Sequence, residues 1–592
     1  MQIAKNLLGR LDNKIYPIGL GLILVVFAIL KLSYLKLGCY WDETWPFSYA
    51  IYQLHEHWPL ILPNTIDPYI TRGHPLLFHF LVSTWMAIFG DSLVVAKAFP
   101  LFLSLLTLIA IYKFGEHFFS PKTGLLAAAL LAVQAVFYSQ STLLLLEVQL
   151  TLFTILTFLF YFKKNRFLYI LFGSFAILTK ETGITVIAAL GIWHLVNYLA
   201  TIKSTKFRDF FVEGLWIIAP IGVSFLYFVL QRILNGWFLF PIHVGFMSFD
   251  HTVILDKFEH GLYLIFKFQD KKLITIFAIF SLIIAILLRS LTLSKKQWQI
   301  IHLAVWFLLL FNIFGSLNYL SDRYYLPAIT VFIFLAVALI SKVARNNFVW
   351  FFIAILMIGT SAKYLINDKG LSDTDKGYKD VVKVHQEAIN YLIENNLQNK
   401  NIYTHFILRE AMKATYPGYI KDEKDCFRNF HYEFDPLQTD LCIFSNVEYH
   451  PDFEKVRQDN PMNILVQFQE GDAFVIIFQP KYRELLTGKK DEYIKYYLRT
   501  IKNNHEWYNS IQKTSVEEHQ SLDSLLFKNA VFMADRKIED TIRQISLEKR
   551  RTDYLLTVKQ DASVLSSLID SATIQNQPID SIISRYIRAK IK

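Results

Sequence analysis

The stretch YPIGLGLILVVFAILKLSYLKLGCYWDE, residues 16–43, governs how the rest of the chain is read. Its first part, 16–37, is apolar and of spanning length, since an α-helix rises 1.5 Å per residue and about 20 residues cross the roughly 30 Å of hydrocarbon in a bilayer. No small-residue cleavage site precedes Asp42, so the run reads as a retained transmembrane helix and not as a signal peptide. The helix ends against two adjacent carboxylates, Asp42 and Glu43, at the membrane boundary.

The same length criterion predicts ten further spans, near 92–113, 122–139, 143–162, 167–182, 183–200, 210–231, 273–289, 298–317, 324–341 and 348–366. The run 75–90 is short and interrupted by His79, Ser83 and Thr84, and is read as an interfacial or re-entrant helix. Composition agrees. Of 592 residues, 53% are hydrophobic, with 51 Phe and 31 Tyr, more apolar surface than a soluble chain of this size carries. The long apolar runs stop near residue 366, and charged residues crowd the remainder of the chain. The expected fold is therefore a polytopic α-helical membrane module, 1–366, of about eleven transmembrane helices plus juxtamembrane helices, joined to a soluble carboxyl region.

Basic connectors orient the module. Lys5, Arg10 and Lys14, then 113–122, 163–166, 203–208, 289–296 and 342–345 all fall on one side under a single alternation, which the positive-inside tendency makes cytoplasmic. The formal net charge of +10 is explained by these connectors facing anionic lipid, and no nucleic-acid signature accompanies it. The loops 38–91, 232–272 and 318–323 and the carboxyl region then lie outside. Three cysteines, Cys39, Cys426 and Cys442, match no metal-ligand spacing.

The candidate chemistry gathers on that outer side. Asp42 and Glu43 stand where a water-borne acceptor and a lipid-borne carrier could meet, although acidic residues also suit a solvated first helical turn. Glu147, in Thr142-Leu-Leu-Leu-Leu-Glu147, is an ionisable group among leucines, costly in lipid unless it serves a site or a structural hydrogen bond. Lys180, followed by Glu181, and Arg323, preceded by Asp322, are cations that could bind phosphate or snorkel to headgroups. His74 opens the interfacial helix and is a candidate phosphate or hydroxyl contact; His243 is a weaker one.

In these residues the chain resembles the GT-C superfamily of glycosyltransferases, in particular the protein O-mannosyltransferases and the lipid A aminoarabinose transferase. The resemblance is carried over about 10–366 by Asp42-Glu43, His74-Pro75-Leu76, Phe89-Gly90-Asp91, Glu147, Leu178-Thr179-Lys180 and Arg323-Tyr324-Tyr325-Leu326-Pro327, in order and spacing. The family more often has Asp at the Glu147 position, and the aminoarabinose branch has Lys at the His74 position, so no donor sugar is carried over. The resemblance implies a polyprenyl-phosphate sugar donor and inversion at the anomeric carbon. On this reading Asp42 is the general base, Glu43 and Glu147 orient it or the acceptor, and Lys180, Arg323 and His74 contact the donor phosphate. No metal ligands are assigned. No cofactor is required and a divalent ion is compatible, since the carrier leaves as a single phosphate. The expected setting is a bacterial inner membrane, with the active site and carboxyl region on the periplasmic side. A transporter or flippase of lipid-linked glycans is the alternative, and would place its charges near mid-membrane on related halves.

Beyond the membrane module, 367–480 alternates helix-like and strand-like runs and is expected to form a small extracytoplasmic α/β domain, in which Cys426 and Cys442 could pair if the compartment oxidises. Residues 481–592 are helical and hold a repeat. Segments 497–526 and 554–583 align without a gap at an offset of 57, with Tyr497/Tyr554, Leu498/Leu555, Ser510/Ser567, Gln520/Gln577 and Asp523/Asp580 among the identities. Each copy is expected to be a helix-turn-helix, packed on the other because one face alone buries too little.

Overall fold

The structure, a computed structural model, describes the chain apart from residues 1, 204, 288–291, 345, 436–437, 448–450, 461, 561, 576–577 and 591–592. Arg289, Arg345 and Gln577, which entered the charge and repeat readings, lie outside the described residues. Two compact units emerge: Met1–Gln386 with Glu410–Lys424, and Glu387–Arg409 with Asp425–Lys592.

In the first unit, each expected span falls largely on helix among the described residues. Among the described residues, seven helices are long and apolar enough to cross a membrane: Ile15–Lys36, Leu93–Phe118, Glu181–Ala200, Phe207–Asn235, Lys295–Leu317, Asp322–Val343 and Asn347–Asn367. The described part of 273–289 lies on Lys271–Leu287, and the runs near 122–139, 143–162 and 167–182 lie on short helices, Pro121–Ala132 with Ala135–Gln140, Glu147–Phe162 and Arg166–Thr179. Apolar content had suggested longer spans there, but local signals stop these helices early. Lys180 is extended, with φ −157° and ψ 141°, and ends Arg166–Thr179, while the Glu147 helix begins only after an irregular segment at 141–146. The interfacial run forms Leu77–Phe89, 13 residues long.

Capping fixes where the helices begin. Ser92 accepts from the Val95 N–H, Ser120 from that of Thr123 with Pro121 in the first turn, and Asn165 from that of Leu168. Ser294 and Gln297 form a reciprocal capping box. Leu93–Phe118 and Pro121–Ala132 approach so closely at Gly115 and Gly124 that a β-carbon on either would strike the other's backbone, the small-residue contact by which helices pack in lipid.

The second unit carries a five-stranded mixed sheet. Strands β1 (Ile402–Tyr403), β2 (Phe430–His431), β3 (Leu441–Ser445), β4 (Met462–Glu470) and β5 (Ala473–Pro480) lie in the order β2-β1-β3-β5-β4. β1 pairs in parallel with β2 and β3; β5 is antiparallel to β3 and β4. Cys442 is buried in β3, in a cluster with Tyr403, Phe444, Phe453 and Phe478. Cys426 and Cys442 are not joined by a disulfide. The spacing had allowed that bond, but the Cys442 thiol packs into an aromatic core.

The repeat is visible as two buried clusters. Ile501, Ile511, Leu525, Leu526 and Ala530 form one; Val558, Leu568, Ile582, Ile583 and Ile587 form the other, each residue 57 positions beyond its counterpart. A helix-turn-helix is too short a description of the copy. Helices Tyr482–Asn503 and His505–Glu517 combine with the start of Leu522–Gln560; the end of that long helix then combines with Ala562–Gln575 and Ile579–Lys590. No Gly or Pro interrupts 522–560, so one helix serves both copies.

Candidate active site

The first span gives way to a short 3-10 helix, Trp41–Glu43, that points two neighbouring carboxylates in different directions. Glu43 goes inward and is fully buried. It accepts from the Tyr40 N–H at 3.0 Å, the Leu144 N–H at 2.9 Å and Lys97 Nζ at 3.2 Å. Lys97, equally buried, also donates to the Gly38 carbonyl at 3.0 Å. Burial raises the Glu43 carboxyl above its ordinary pKa, against the pull of Lys97 and the two backbone donors. Glu43 therefore clamps the turn to Leu93–Phe118 and to the segment before Glu147, and it does not line the cavity described below.

Asp42 goes outward, with its side chain one-third exposed. It accepts a hydrogen bond from one terminal nitrogen of Arg323. The other terminal nitrogen of Arg323 donates to Asp373, and its Nε lies 3.8 Å from Glu147 Oε1. Arg323 is thus held among three carboxylates and is itself nearly buried. Glu147 opens its helix, and its Oε1 accepts from Lys180 Nζ at 3.1 Å. Lys180 Nζ also sits 3.1 Å from the centroid of the Tyr324 ring, a cation–π contact. The structure therefore brings together Asp42, Glu147, Lys180 and Arg323, which lie far apart in sequence.

Asp373 was not among the expected residues. Its one sequence signal is the turn-forming Leu371-Ser-Asp-Thr-Asp-Lys-Gly377 just past the last span, which also resembles an ordinary solvated loop. Burial raises the Asp373 carboxyl while Arg323 opposes the shift.

Lys180 and Glu181, adjacent in sequence, take different partners. Backbone at Lys180 is extended, so consecutive side chains diverge. Glu181 turns to histidines instead. Its Oε2 lies 2.8 Å from His74 Nδ1 and its Oε1 3.9 Å from His243 Nδ1, and the two imidazole centroids are 4.8 Å apart. The ligand atoms of the three residues lie within 4.8 Å of one another, a set that could hold a divalent ion. Burial and the neighbouring His74 push the His243 imidazole down to about 4.

A cavity of about 390 Å³ connects these groups. Asp42, Arg72, His74, Lys180 and Glu181 line its polar part; Phe240, Phe246, Met247, Phe311 and Phe314 contribute to a wide apolar wall. Arg323 and Glu147 stand behind this lining.

Comparison with known proteins adds a family match over part of the chain. Residues 73–228, the segment carrying His74, Glu147 and Lys180, match the family described as dolichyl-phosphate-mannose-protein mannosyltransferase. ArnT from Cupriavidus metallidurans in the apo state is similar with a TM-score of 0.49 at 12% identity, over 77% of this chain and 97% of that one. The same protein bound to undecaprenyl phosphate gives 0.48 at 12% identity over the same shares. The S. cerevisiae Pmt1-Pmt2 complex bound to the sugar donor gives 0.31 at 18% identity, over 37% of this chain and 33% of that one. No curated protein matches the chain in sequence. The family match covers about a quarter of the chain and falls on its membrane-spanning helical module.

Proposed function

We propose that the chain transfers a sugar from a polyprenyl-phosphate carrier to an acceptor on the periplasmic face of a bacterial inner membrane, by inverting displacement. The observation that carries this reading is Asp42. It is a partly exposed carboxylate lining a cavity whose far wall is apolar, and it is fixed by a buried arginine. An acceptor hydroxyl reaching Asp42 from water gives up its proton there as its oxygen attacks the anomeric carbon. The bond to the carrier oxygen breaks on the opposite face, and the polyprenyl phosphate departs with the bonding pair.

Each neighbour has a task in that step. Arg323 orients Asp42 through the charge-assisted hydrogen bond it donates. Asp373 and Glu147 share the remaining charge of Arg323 and so hold it in place. Lys180 lines the cavity and meets the charge that develops on the departing phosphate, with Glu147 fixing its position. Glu43 holds the turn on which Asp42 stands. His74, Glu181 and His243 would hold a divalent ion if one takes part, but the displacement needs none.

The test is sugar transfer by the purified protein in lipid nanodiscs, after mass spectrometry of envelope lipids, glycans and proteins from cells with and without the gene has identified the missing sugar. Transfer of that sugar from its polyprenyl-phosphate form supports the reading. Cells that lack the gene yet show an unchanged set of envelope sugars would overturn it.

A further inference from the structure

Two long basic side chains line the cavity, and they differ in what they have available for an anion. Lys180 is committed, with Nζ on Glu147 at 3.1 Å and over the Tyr324 ring. Arg323, behind the lining, is taken by Asp42 and Asp373. Within the cluster of Asp42, Glu147, Asp373, Lys180 and Arg323, each cation is already paired with at least one carboxylate. Arg72 is the other basic liner, and among the described residues it has no carboxylate partner. Its guanidinium carbon lies 5.4 Å from the centroid of the Trp45 ring, which leaves the edge of the fork free to donate.

The backbone holds Arg72 in an unusual way. Its φ is +54° and that of Gly73 is +69°, two successive left-handed residues just ahead of His74. Left-handed backbone is costly for a side chain such as arginine and persists where the surroundings require it. Hydrogen bonds from the Arg72 N–H to the Tyr69 carbonyl, and from the Gly73 N–H to the Pro68 carbonyl, close the turn. At Gly73 a β-carbon would strike the Phe240 side chain, so the turn packs against the apolar wall. Arg72 is thereby placed on the polar side of a cavity whose other side suits hydrocarbon.

We propose that Arg72 binds the phosphate of a single-phosphate isoprenoid lipid, as the principal cation of the donor site. This rests on the glycosyltransferase reading and names a residue that the reading does not supply. A planar fork recognises a phosphate monoester or diester by two parallel hydrogen bonds, which a compact ammonium cannot reproduce. Arg72→Lys therefore keeps the charge and loses the fork.

The measurement is binding of undecaprenyl phosphate to the full chain in nanodiscs, with undecaprenol, inorganic phosphate and phosphatidylglycerol as comparison ligands, alongside donor KM and kcat. Wild type is expected to bind undecaprenyl phosphate well above undecaprenol. Arg72→Ala should weaken undecaprenyl phosphate binding about tenfold or more, raise donor KM and leave undecaprenol binding unchanged, with Arg72→Lys intermediate. Should Arg72→Ala not fold, Arg72→Lys and Arg72→Gln decide the matter by the same ratio. Equal undecaprenyl phosphate binding by wild type and the variants overturns the inference alone. Phosphatidylglycerol competing as well as undecaprenyl phosphate also overturns it, as the site would then take any lipid headgroup. A wild-type protein that prefers undecaprenyl phosphate to neither undecaprenol nor phosphatidylglycerol removes the donor reading itself.

Discussion

Asp42 and Glu43 are neighbours in the chain with opposite environments, and substitutions should separate them. Asp42→Asn keeps the hydrogen bond from Arg323 while removing the charge that accepts a proton in the proposed mechanism. Fold and donor binding should persist while turnover falls by about 10² to 10⁴, the usual contribution of general-base catalysis. Steady-state transfer, with donor binding followed separately, checks this; near wild-type turnover in Asp42→Asn would remove Asp42 from the chemistry. His243 gives a pH signature. Its folded pKa of about 4 lies below the ordinary 6.5, so between those values the unfolded chain binds more protons than the folded one. Stability should therefore fall as pH drops from about 6.5 towards 4. Thermal unfolding across that range should show a shallower pH slope in His243→Asn, and an unchanged slope would show that His243 titrates normally.

At the scale of elements, the site is held by close approaches that leave little room for adjustment. Tyr325, two residues after Arg323, donates to Asn312 Oδ1 at 2.9 Å, and a β-carbon at Gly261 would strike both Asn312 and Tyr325. His251–Phe266, Lys295–Leu317 and Leu326–Val343 thus converge just behind Arg323. The carboxyl repeat shows the same dependence on packing. Leu525 and Ile582 occupy corresponding places in their clusters. Truncating either to Ala should cost a similar amount, about 2–5 kcal/mol in the usual range for buried aliphatic residues. Denaturant unfolding of the full chain, followed through hydrogen exchange at each cluster, compares the two; a large cost at one position and none at the other would contradict equivalent roles.

For the whole molecule, topology is the decisive property, because the proposed transfer requires the cavity to open on the outer face. Single cysteines placed near Asn504 in a cysteine-free background should react with an impermeant thiol reagent in intact cells, and those near Asn165 should not. The reverse pattern would invert the membrane module and move the cavity to the cytoplasm. The expectation rests on the basic connectors, whose lysines and arginines stay where crossing the bilayer is costliest.

Periodicity and charge along the chain were enough for the membrane class, because a span is a local property: hydrocarbon requires a continuous apolar helix whose backbone hydrogen bonds close within the segment. They also disclosed Asp42, Lys180 and Arg323 as charges at the outer membrane boundary, Glu147 as a costly charge among leucines, and the 57-residue repeat as a pattern of identities. Which charge faces which is not local. Adjacent Asp42 and Glu43 separate into a cavity and a sealed clamp, and adjacent Lys180 and Glu181 diverge to Glu147 and His74. Asp373, in a segment with the composition of a solvated loop, reaches Arg323 across 50 positions. Arg72 stands out only once every other cation near the cavity has been paired. Such assignments depend on distances between helices brought together by packing, a property of the folded chain that the order of its residues does not display.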